Sequence, residues 1–244
     1  MENALPFRVR VKDQGSIESV GYEDMNGLLD FPVIAHPKVD RKTGDLMTLG
    51  YILDDSNCDA RYAVFRPTNN GGKIEKKNEL RLKFKQKVMI HDMAITETYT
   101  VVPEFSLAFK PKDMVTNDQV FQLDYNSSAR FHVFPRHATS QDQITIFDLG
   151  EPGMGFHLMN AYDDDNKNIV RVVGCTYCSL SFVTLQQSAQ THTLDYTTRT
   201  VVEHRFHEQI LHELWREGRD GECNFGRVDV GFEFRSCNEA CLVR

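Results

Sequence analysis

The sequence predicts an all-β fold, and three observations support that prediction. Apolar and polar residues alternate with period two in many short runs, the first of which sets Phe7, Val9 and Val11 against basic residues and predicts a half-buried strand. Turn-forming residues separate the runs at regular intervals. Helical periodicity is confined to one short segment. Many short strands at such spacing are typical of a sandwich, a barrel or a propeller.

Nine further runs are predicted as strands from the same alternation. They are residues 46–53, 61–66, 80–84, 88–95, 99–102, 131–134, 144–149, 169–174 and 200–206. Turn chemistry at residues 42–45, 69–72 and 163–166 marks breaks between strands. Ile210, Leu211, Leu214 and Trp215 share one face of a 3.6-residue period, which predicts one short helix near residues 207–216.

Composition indicates a folded protein that does not bind nucleic acid. A chain of 244 residues with 41% hydrophobic content can bury a sizeable core, and we expect residues 1–244 to form a single domain. The net charge of -7 argues against a phosphate backbone as partner. No apolar run approaches the roughly 18 residues that cross a bilayer, and no secretory signal is visible. A soluble, intracellular protein is expected, with plastid and cytoplasm both open.

The six cysteines are too few and too scattered for a disulfide scaffold, which favours a reducing compartment. Cys175 and Cys178 form a CxxC pair that Cys237 and Cys241 could complete as a zinc site. The first pair lies in a strand-like apolar stretch and the second pair has the wrong spacing. Buried free thiols are the better interpretation.

Three histidines, His36, His91 and His157, stand in apolar segments where an ordinary core would hold an apolar side chain. One such histidine taken alone is more often a hydrogen-bonded core residue than a metal ligand. The three are 55 and 66 residues apart, close to one propeller blade plus loops. Successive blades would direct them at a common axis. Imidazole suits iron, copper, zinc and nickel, so the spacing does not select the metal.

Two other patterns carry no site. The residues 207–212 (HEQILH) hold histidines five apart, which a helix does not bring onto one face as a zinc protease requires. Residues 150–155 (GEPGMG) are rich in glycine, but no helix is predicted after them to bind a phosphate.

The segments around the three histidines resemble the carotenoid cleavage oxygenase family. The first is residues 35–40 (AHPKVD), followed by Thr43-Gly44-Asp45 and Gly50-Tyr51. Residues 89–97 (MIHDMAITE) resemble the second ligand motif of the family, and residues 156–162 (FHLMNAY) resemble the third. Weaker matches are residues 129–136 (ARFHVFPR) and 224–229 (NFGRVD).

The resemblance implies a seven-bladed β-propeller that binds Fe(2+) on its axis through four neutral histidines. In that family dioxygen and an extended polyene meet at the iron, and a carbon-carbon double bond is cleaved to two carbonyl products. His36, His91 and His157 match the first three iron ligands. No acid or base is required from the protein. The partners implied are therefore a hydrophobic polyene and dioxygen.

The resemblance also implies residues that orient the ligands by accepting an imidazole N–H. Glu2 stands where the family has a glutamate that would orient His91. The glutamate that serves the third ligand falls at Asn224, whose amide can accept an N–H but adds no charge. His157 is then expected to be held less firmly, with Glu222 as an alternative partner.

The same resemblance implies that the chain covers the middle part of the family fold, as a partial propeller that lacks N-terminal and C-terminal blades. No later histidine has the context of the fourth ligand: His192, His204, His207 and His212 all come too early. Two alternatives therefore stay open beside a carotenoid or apocarotenoid dioxygenase. One is a truncated, catalytically inactive propeller; the other is a stilbene-cleaving relative. A peripheral membrane contact and the oligomeric state are left open.

Overall fold

The computed structural model describes residues 4–51, 59–68, 73–113, 120–164, 169–177, 187–195 and 200–205. These residues form strands joined by turns and three short 3-10 helices, Asp13–Gly15, Pro111–Asp113 and Gln141–Gln143. The strands are β1 (Phe7–Val11), β2 (Ile17–Tyr22), β3 (Lys38–Val39), β4 (Leu46–Tyr51), β5 (Asp59–Pro67), β6 (Ile74–Lys83), β7 (Ala94–Ile95), β8 (Tyr99–Glu104), β9 (Leu107–Phe109), β10 (Phe121–Leu123), β11 (Arg130–Pro135), β12 (Thr145–Asp148), β13 (Met154–Asp164), β14 (Ile169–Tyr177), β15 (Gln187–Asp195) and β16 (Thr200–Arg205).

Three four-stranded antiparallel sheets follow one another along the chain. The first sheet has the order β3-β4-β5-β6, the second β7-β8-β11-β12 and the third β13-β14-β15-β16. Strands β9 and β10 form a hairpin inserted between β8 and β11, and β1 pairs with β2. The first strands of the second and third sheets, β7 and β13, contact each other. Meandering sheets whose first strands meet have the arrangement of propeller blades.

The hydrophobic cores lie between neighbouring sheets. Tyr62 of the first sheet packs edge to face on Phe134 of the second sheet, with ring centroids 5.0 Å apart. Phe131 of the second sheet lies in one buried cluster with Leu158 and Val172 of the third. Each large apolar side chain buried in this way contributes about 1.5–3 kcal/mol. Packing between sheets therefore holds neighbouring sheets against each other.

The prediction of a strand over residues 88–95 is wrong for most of its length. Only Ala94–Ile95 forms a strand, while Val88 and Asp92 make isolated bridges. Alternation at these positions reflects side-chain burial, since Val88, Ile90 and Asp92 are all buried. The backbone does not continue as a ladder, because the N–H of Met93 donates to the Asp92 carboxylate.

The first predicted strand forms, but it is not half-buried. Each residue of β1 is exposed, and Phe7 contacts Tyr22 of β2 across the hairpin with ring centroids 5.3 Å apart. Period-two alternation gives the hairpin an apolar and a basic face, and the apolar side chains of Phe7, Val9 and Val11 stay 50%, 49% and 69% exposed. The pattern therefore predicted the strand and not its burial.

Six strands were not predicted: β2, β3, β9, β10, β13 and β15. Polar β15 (QSAQTHTLD) lacks the alternation on which the prediction depended, yet it pairs with β14 along its whole length. The remaining predicted strands are confirmed, and where both ends are described the ends differ by a few residues from those predicted. The predicted ends at residues 53 and 206 lie outside the described residues. The helix predicted near residues 207–216 lies outside the described residues.

Candidate metal centre

His36 stands two residues before β3, the first strand of the first sheet. The preceding segment packs against β4, where the N–H of Ile34 donates to the carbonyl of Leu49 at 2.8 Å. The backbone of His36 then forms a parallel bridge with Asp92, on the segment that leads to the second sheet. His36 is half-buried. Its position is thus set by contacts to two successive sheets.

His91 and His157 occupy corresponding places in the second and third sheets. His91 precedes β7 by three residues, and His157 lies near the start of β13. The register of β13 with β14 shifts on both sides of Leu158, which lifts His157 out of the regular ladder. A Cβ atom at Gly174 of β14 would lie 3.2 Å from the His157 carbonyl oxygen, so the two strands approach closely there. Each sheet therefore has one histidine within three residues of the start of its first strand.

The three imidazole rings form a nearly regular triangle. Ring centroids are 4.8 Å apart for His36 and His91, 4.9 Å for His91 and His157, and 5.0 Å for His36 and His157. Every pair meets edge to face. One nitrogen from each ring can be chosen so that all three lie within 4.8 Å of one another. The residues that the sequence analysis singled out are thus brought together from positions far apart in the chain.

The donor set fits a first-row metal ion. The Nε2 atoms of His36 and His91 are 3.1 Å apart. Two nitrogens in adjacent positions on one ion, each bonded at about 2.1 Å, would be about 3 Å apart. His157 is exposed and free of the regular ladder, so its ring can adjust toward the other two. Three imidazoles without a carboxylate suit iron, copper, zinc or nickel.

Electrostatics favour the neutral form of His36. Burial lowers the pKa of its imidazole below the ordinary value of 6.5, the imidazoles of His91 and His157 and the Lys38 ammonium act in the same direction, and the Asp92 carboxylate opposes them. A neutral imidazole has the lone pair that a metal ion requires. His36 is therefore in its metal-binding state at neutral pH.

Two residues near the triangle were not singled out by sequence reasoning. Phe156 meets the ring of His91 edge to face at 5.7 Å, which supplies one apolar wall. Asp92 is buried and bonds to segments that carry the histidines. A signal for Asp92 was present in the sequence, since an acidic residue in the apolar run 88–95 must find buried partners.

His132, from one of the weaker motif matches, is a core histidine. Its Nε2 donates to Glu104 Oε2 at 2.7 Å, and the same carboxylate accepts from Arg130 and from the backbone N–H of Lys85. All of these side-chain contacts are buried in or beside the second sheet. The described contacts of His132 are structural.

Other motif residues connect the sheets. The Nη1 atom of Arg136 donates to Asp40 Oδ2 at 2.6 Å, and its Nη2 donates to the carbonyl of Glu97. Lys42 forms an ion pair with the Glu97 carboxylate. These contacts join the turn after His36 to the turn after His91, so the motifs position turns as well as histidines.

Several predicted residues cannot be placed. Glu2, Glu222 and Asn224 lie outside the described residues, as do His207, His212 and the cysteines 178, 237 and 241. His192 and His204 fall on β15 and β16, for which the structure describes the backbone alone. The ligand-orienting roles of Glu2 and Asn224 stay predictions.

Comparison with known proteins identifies the family. A family model described as "Retinal pigment epithelial membrane protein" (RPE65) matches residues 1–243. The chain belongs to the RPE65/carotenoid oxygenase family. The resemblance inferred from the three histidine motifs is thereby confirmed.

Curated relatives of this carotenoid oxygenase family member include plant enzymes. The carotenoid 9,10(9',10')-cleavage dioxygenase 1 of Pisum sativum is 32% identical over 170 residues, which are 69% of this chain and 30% of that protein. The chloroplastic 9-cis-epoxycarotenoid dioxygenase NCED6 of Arabidopsis thaliana is 33% identical over 177 residues, 71% of this chain and 29% of that protein. The chain thus spans less than a third of the length of these relatives.

Solved structures confirm the partial propeller. The lignostilbene dioxygenase of Pseudomonas brassicacearum superposes with a TM-score of 0.71 at 25% identity, covering 84% of this chain and 44% of that one. A cobalt-substituted Synechocystis ACO superposes with a TM-score of 0.66 at 19% identity, and the superposition covers 84% of this chain and 45% of that one. Within the described part of this chain no helix has the length and apolar character needed to span a bilayer.

Proposed function

We propose that the chain is the iron-binding part of a dioxygenase that cleaves a carbon-carbon double bond of a carotenoid or apocarotenoid to carbonyl products. The observation that carries the proposal is the triangle of His36, His91 and His157, with ring centroids 4.8–5.0 Å apart. The relatives named as carotenoid cleavage dioxygenases support the substrate class. Because the chain spans less than a third of those relatives, the activity is a proposal for the chain.

His36, His91 and His157 would hold the ion as neutral donors, so the charge of the metal is not cancelled by its ligands. Iron(II), when bound, supplies the redox chemistry that lets dioxygen react with an alkene. The net reaction adds both oxygen atoms of one dioxygen molecule to the two carbons of the cleaved double bond, so no proton is gained or lost. The chain accordingly needs no acid or base, and its described residues provide ligands and an apolar wall.

Phe156 has a defined place in this proposal. Its ring meets His91 edge to face and is partly buried. An aromatic ring beside the histidines would exclude water and offer an apolar surface on which a polyene can pack. We extend the proposal to Glu2 and Asn224, which would accept imidazole N–H bonds from His91 and His157 and so fix the tautomers of these ligands.

Iron content and oxygen chemistry test the proposal. The purified chain is reconstituted with iron(II) without air, and iron is counted per chain. Oxygen uptake is then measured with a carotenoid in detergent micelles, and the carbonyl products are identified by mass spectrometry. We expect one iron per chain, and uptake of one dioxygen for each bond cleaved.

Two variants test whether iron binds at the three histidines of the triangle. His91→Ala removes one ligand and is expected to abolish stoichiometric iron binding. His137→Ala is the matched control, because His137 is exposed and is not part of the triangle. A wild-type chain that remains free of iron after reconstitution, or a His91→Ala variant that binds it as well, contradicts the proposal.

A stilbene is the second candidate substrate. The superposition on the lignostilbene dioxygenase has the higher TM-score of the two structures compared, 0.71, and the higher identity, 25%. A hydroxylated stilbene offered beside the carotenoid separates the two candidates. Cleavage of the stilbene alone would move the proposal to this substrate class and leave the iron site unchanged.

A further inference from the structure

Asp92 makes three contacts with its buried carboxylate. Its Oδ1 atom accepts from the Lys38 ammonium at 2.7 Å and from the backbone N–H of Met93 at 2.7 Å. Its Oδ2 atom accepts from the backbone N–H of Leu158 at 2.9 Å. The residue is only 3% exposed. Both oxygens are therefore committed to fixed donors.

Each donor belongs to a different histidine-bearing segment. Lys38 follows His36 by two residues, Met93 follows His91 by two, and Leu158 follows His157 directly. The backbone of Asp92 also bridges the backbone of His36 in parallel. One side chain thus links all three segments. Each link lies within two residues of a histidine, so the backbone between the Asp92 carboxylate and each imidazole has little conformational freedom.

The energetics favour one arrangement of these links. A buried carboxylate is strongly destabilising unless donors satisfy it, and loss of one donor costs far more than loss of an exposed hydrogen bond. The side chain of Lys38 is 20% exposed, so the ion pair is largely shielded from water. The segments are consequently held together at the spacing seen in the triangle.

We propose that Asp92 is a positioning residue, which holds the segments of His36, His91 and His157 at the spacing that binds one metal ion. It acts on the backbone next to the ligands. The glutamates that the family resemblance implies would act on the imidazole N–H instead. The inference rests on the metal site of the proposed function.

Two substitutions separate the links. Asp92→Asn keeps the shape, but its amide offers one acceptor oxygen. In either orientation its NH₂ group faces a donor, namely Leu158 N–H or the pair formed by Lys38 and Met93. Lys38→Met removes the side-chain link to the His36 segment, keeps the apolar stem and leaves the backbone bridge between His36 and Asp92 in place. It is expected to have the smaller effect.

Glu104→Gln is the matched control. Glu104 is also 3% exposed, and its carboxylate accepts from Arg130, His132 and the backbone N–H of Lys85. It lies on β8, which carries none of the three histidines. General destabilisation is thereby separated from an effect on the metal site.

The probe is Co²⁺ added to the full chain without air. Titration gives the dissociation constant, the visible ligand-field spectrum reports coordination geometry, and thermal unfolding of the metal-free protein reports stability. We expect Asp92→Asn to weaken Co²⁺ binding by on the order of 10–100-fold and to change the spectrum. Glu104→Gln is expected to lower the unfolding temperature while the dissociation constant and spectrum stay at their wild-type values.

The outcomes distinguish this inference from the proposed function. Wild-type affinity and spectrum in Asp92→Asn would overturn the positioning role and leave the metal site standing. The positioning role is likewise overturned if Glu104→Gln alters the spectrum as strongly. If Asp92→Asn does not fold, Lys38→Met decides, and unchanged Co²⁺ binding in it overturns the inference. A wild-type chain that binds no Co²⁺ overturns the proposed function and this inference together.

Discussion

Gly50 and Pro32 approach so closely that a Cβ atom on Gly50 would lie 2.0 Å from the Pro32 carbonyl oxygen. The same atom would lie 2.3 Å from the ring of Phe31. No side chain fits there, so β4 can accept the segment that leads to His36 only with glycine at position 50. This explains why Gly50 belongs to the first histidine motif.

Gly50→Ala is expected to destabilise the protein by about 1–3 kcal/mol or more, because the added methyl group would displace the backbone at Phe31 and Pro32, in the segment before His36. It is also expected to weaken iron binding, since His36 follows that segment by four residues. Denaturant unfolding and iron titration measure the two effects. Gly153→Ala is the control, because its Cβ would lie 3.7 Å from Ala129, an ordinary contact. Equal stability of both variants would contradict the prediction.

Alternation predicted the fold class because apolar and polar residues alternate along many of the strands, as in β6, where buried residues alternate with more exposed ones. The prediction failed where side chains alternate in burial without backbone pairing, or where the backbone pairs without such alternation. Residues 88–92 alternate in burial yet form no strand, and β15 forms a strand without apolar alternation. Sheet pairing of β15 is a tertiary effect, since its backbone groups pair with those of β14 and β16. Local sequence does not contain that information.

Tyr62 joins the first two sheets through a buried hydroxyl. Its Oη donates to the carbonyl of Arg136 at 2.8 Å and accepts from Thr100 Oγ1 at 2.9 Å. Tyr62→Phe leaves the buried Thr100 hydroxyl and the partly buried Arg136 carbonyl without this partner, so the free energy of unfolding is expected to fall by about 1–3 kcal/mol. Tyr125→Phe is the control, because Tyr125 is 62% exposed. Similar unfolding curves for the two variants would show that the buried hydroxyl contributes nothing.

Metal binding should stabilise the fold, because the ligands come from three different sheets. Iron(II) at a hundred times its dissociation constant is expected to add about 2.7 kcal/mol, which in a chain of this size raises the unfolding temperature by roughly 5–10 °C. Scanning calorimetry without air measures the shift, and a chelator should reverse it. His157→Ala should lose the shift and His137→Ala should keep it. An equal shift in the His157→Ala variant would place the metal elsewhere.

The candidate site was predictable in part. His36, His91 and His157 were conspicuous as polar residues in apolar segments, and their spacing predicted that they meet. The spacing could not reveal that Asp92 links the three segments, because its partners Lys38 and Leu158 are 54 and 66 residues away. Such a contact depends on how the sheets pack. The metal-binding role of the three histidines stays a proposal until iron is measured.

Asp45 gives the first sheet a stability that depends on pH. Hydrogen bonds from Arg66, with Nε on Oδ1 and Nη2 on Oδ2 at 2.5 Å each, hold the pKa of the Asp45 carboxyl below its ordinary value of 3.8. Because the folded-state pKa is lowered, the unfolded chain binds the proton first as the pH falls. The stability that the ionised Asp45 carboxylate contributes is fully present at pH values above its ordinary pKa. It is lost as the pH falls through the folded-state pKa.

Asp45→Asn should therefore destabilise the protein at pH 7, and the difference from wild type should shrink once the pH falls below about 4. The Asn side chain has no proton to exchange and cannot accept both Arg66 bonds. Denaturant unfolding at a series of pH values measures the difference. Asp13→Asn is the matched control, since Asp13 is exposed on a 3-10 turn. If the wild-type and Asp45→Asn stabilities stay parallel down to pH 2, the Arg66 pair is not the source of the pH dependence.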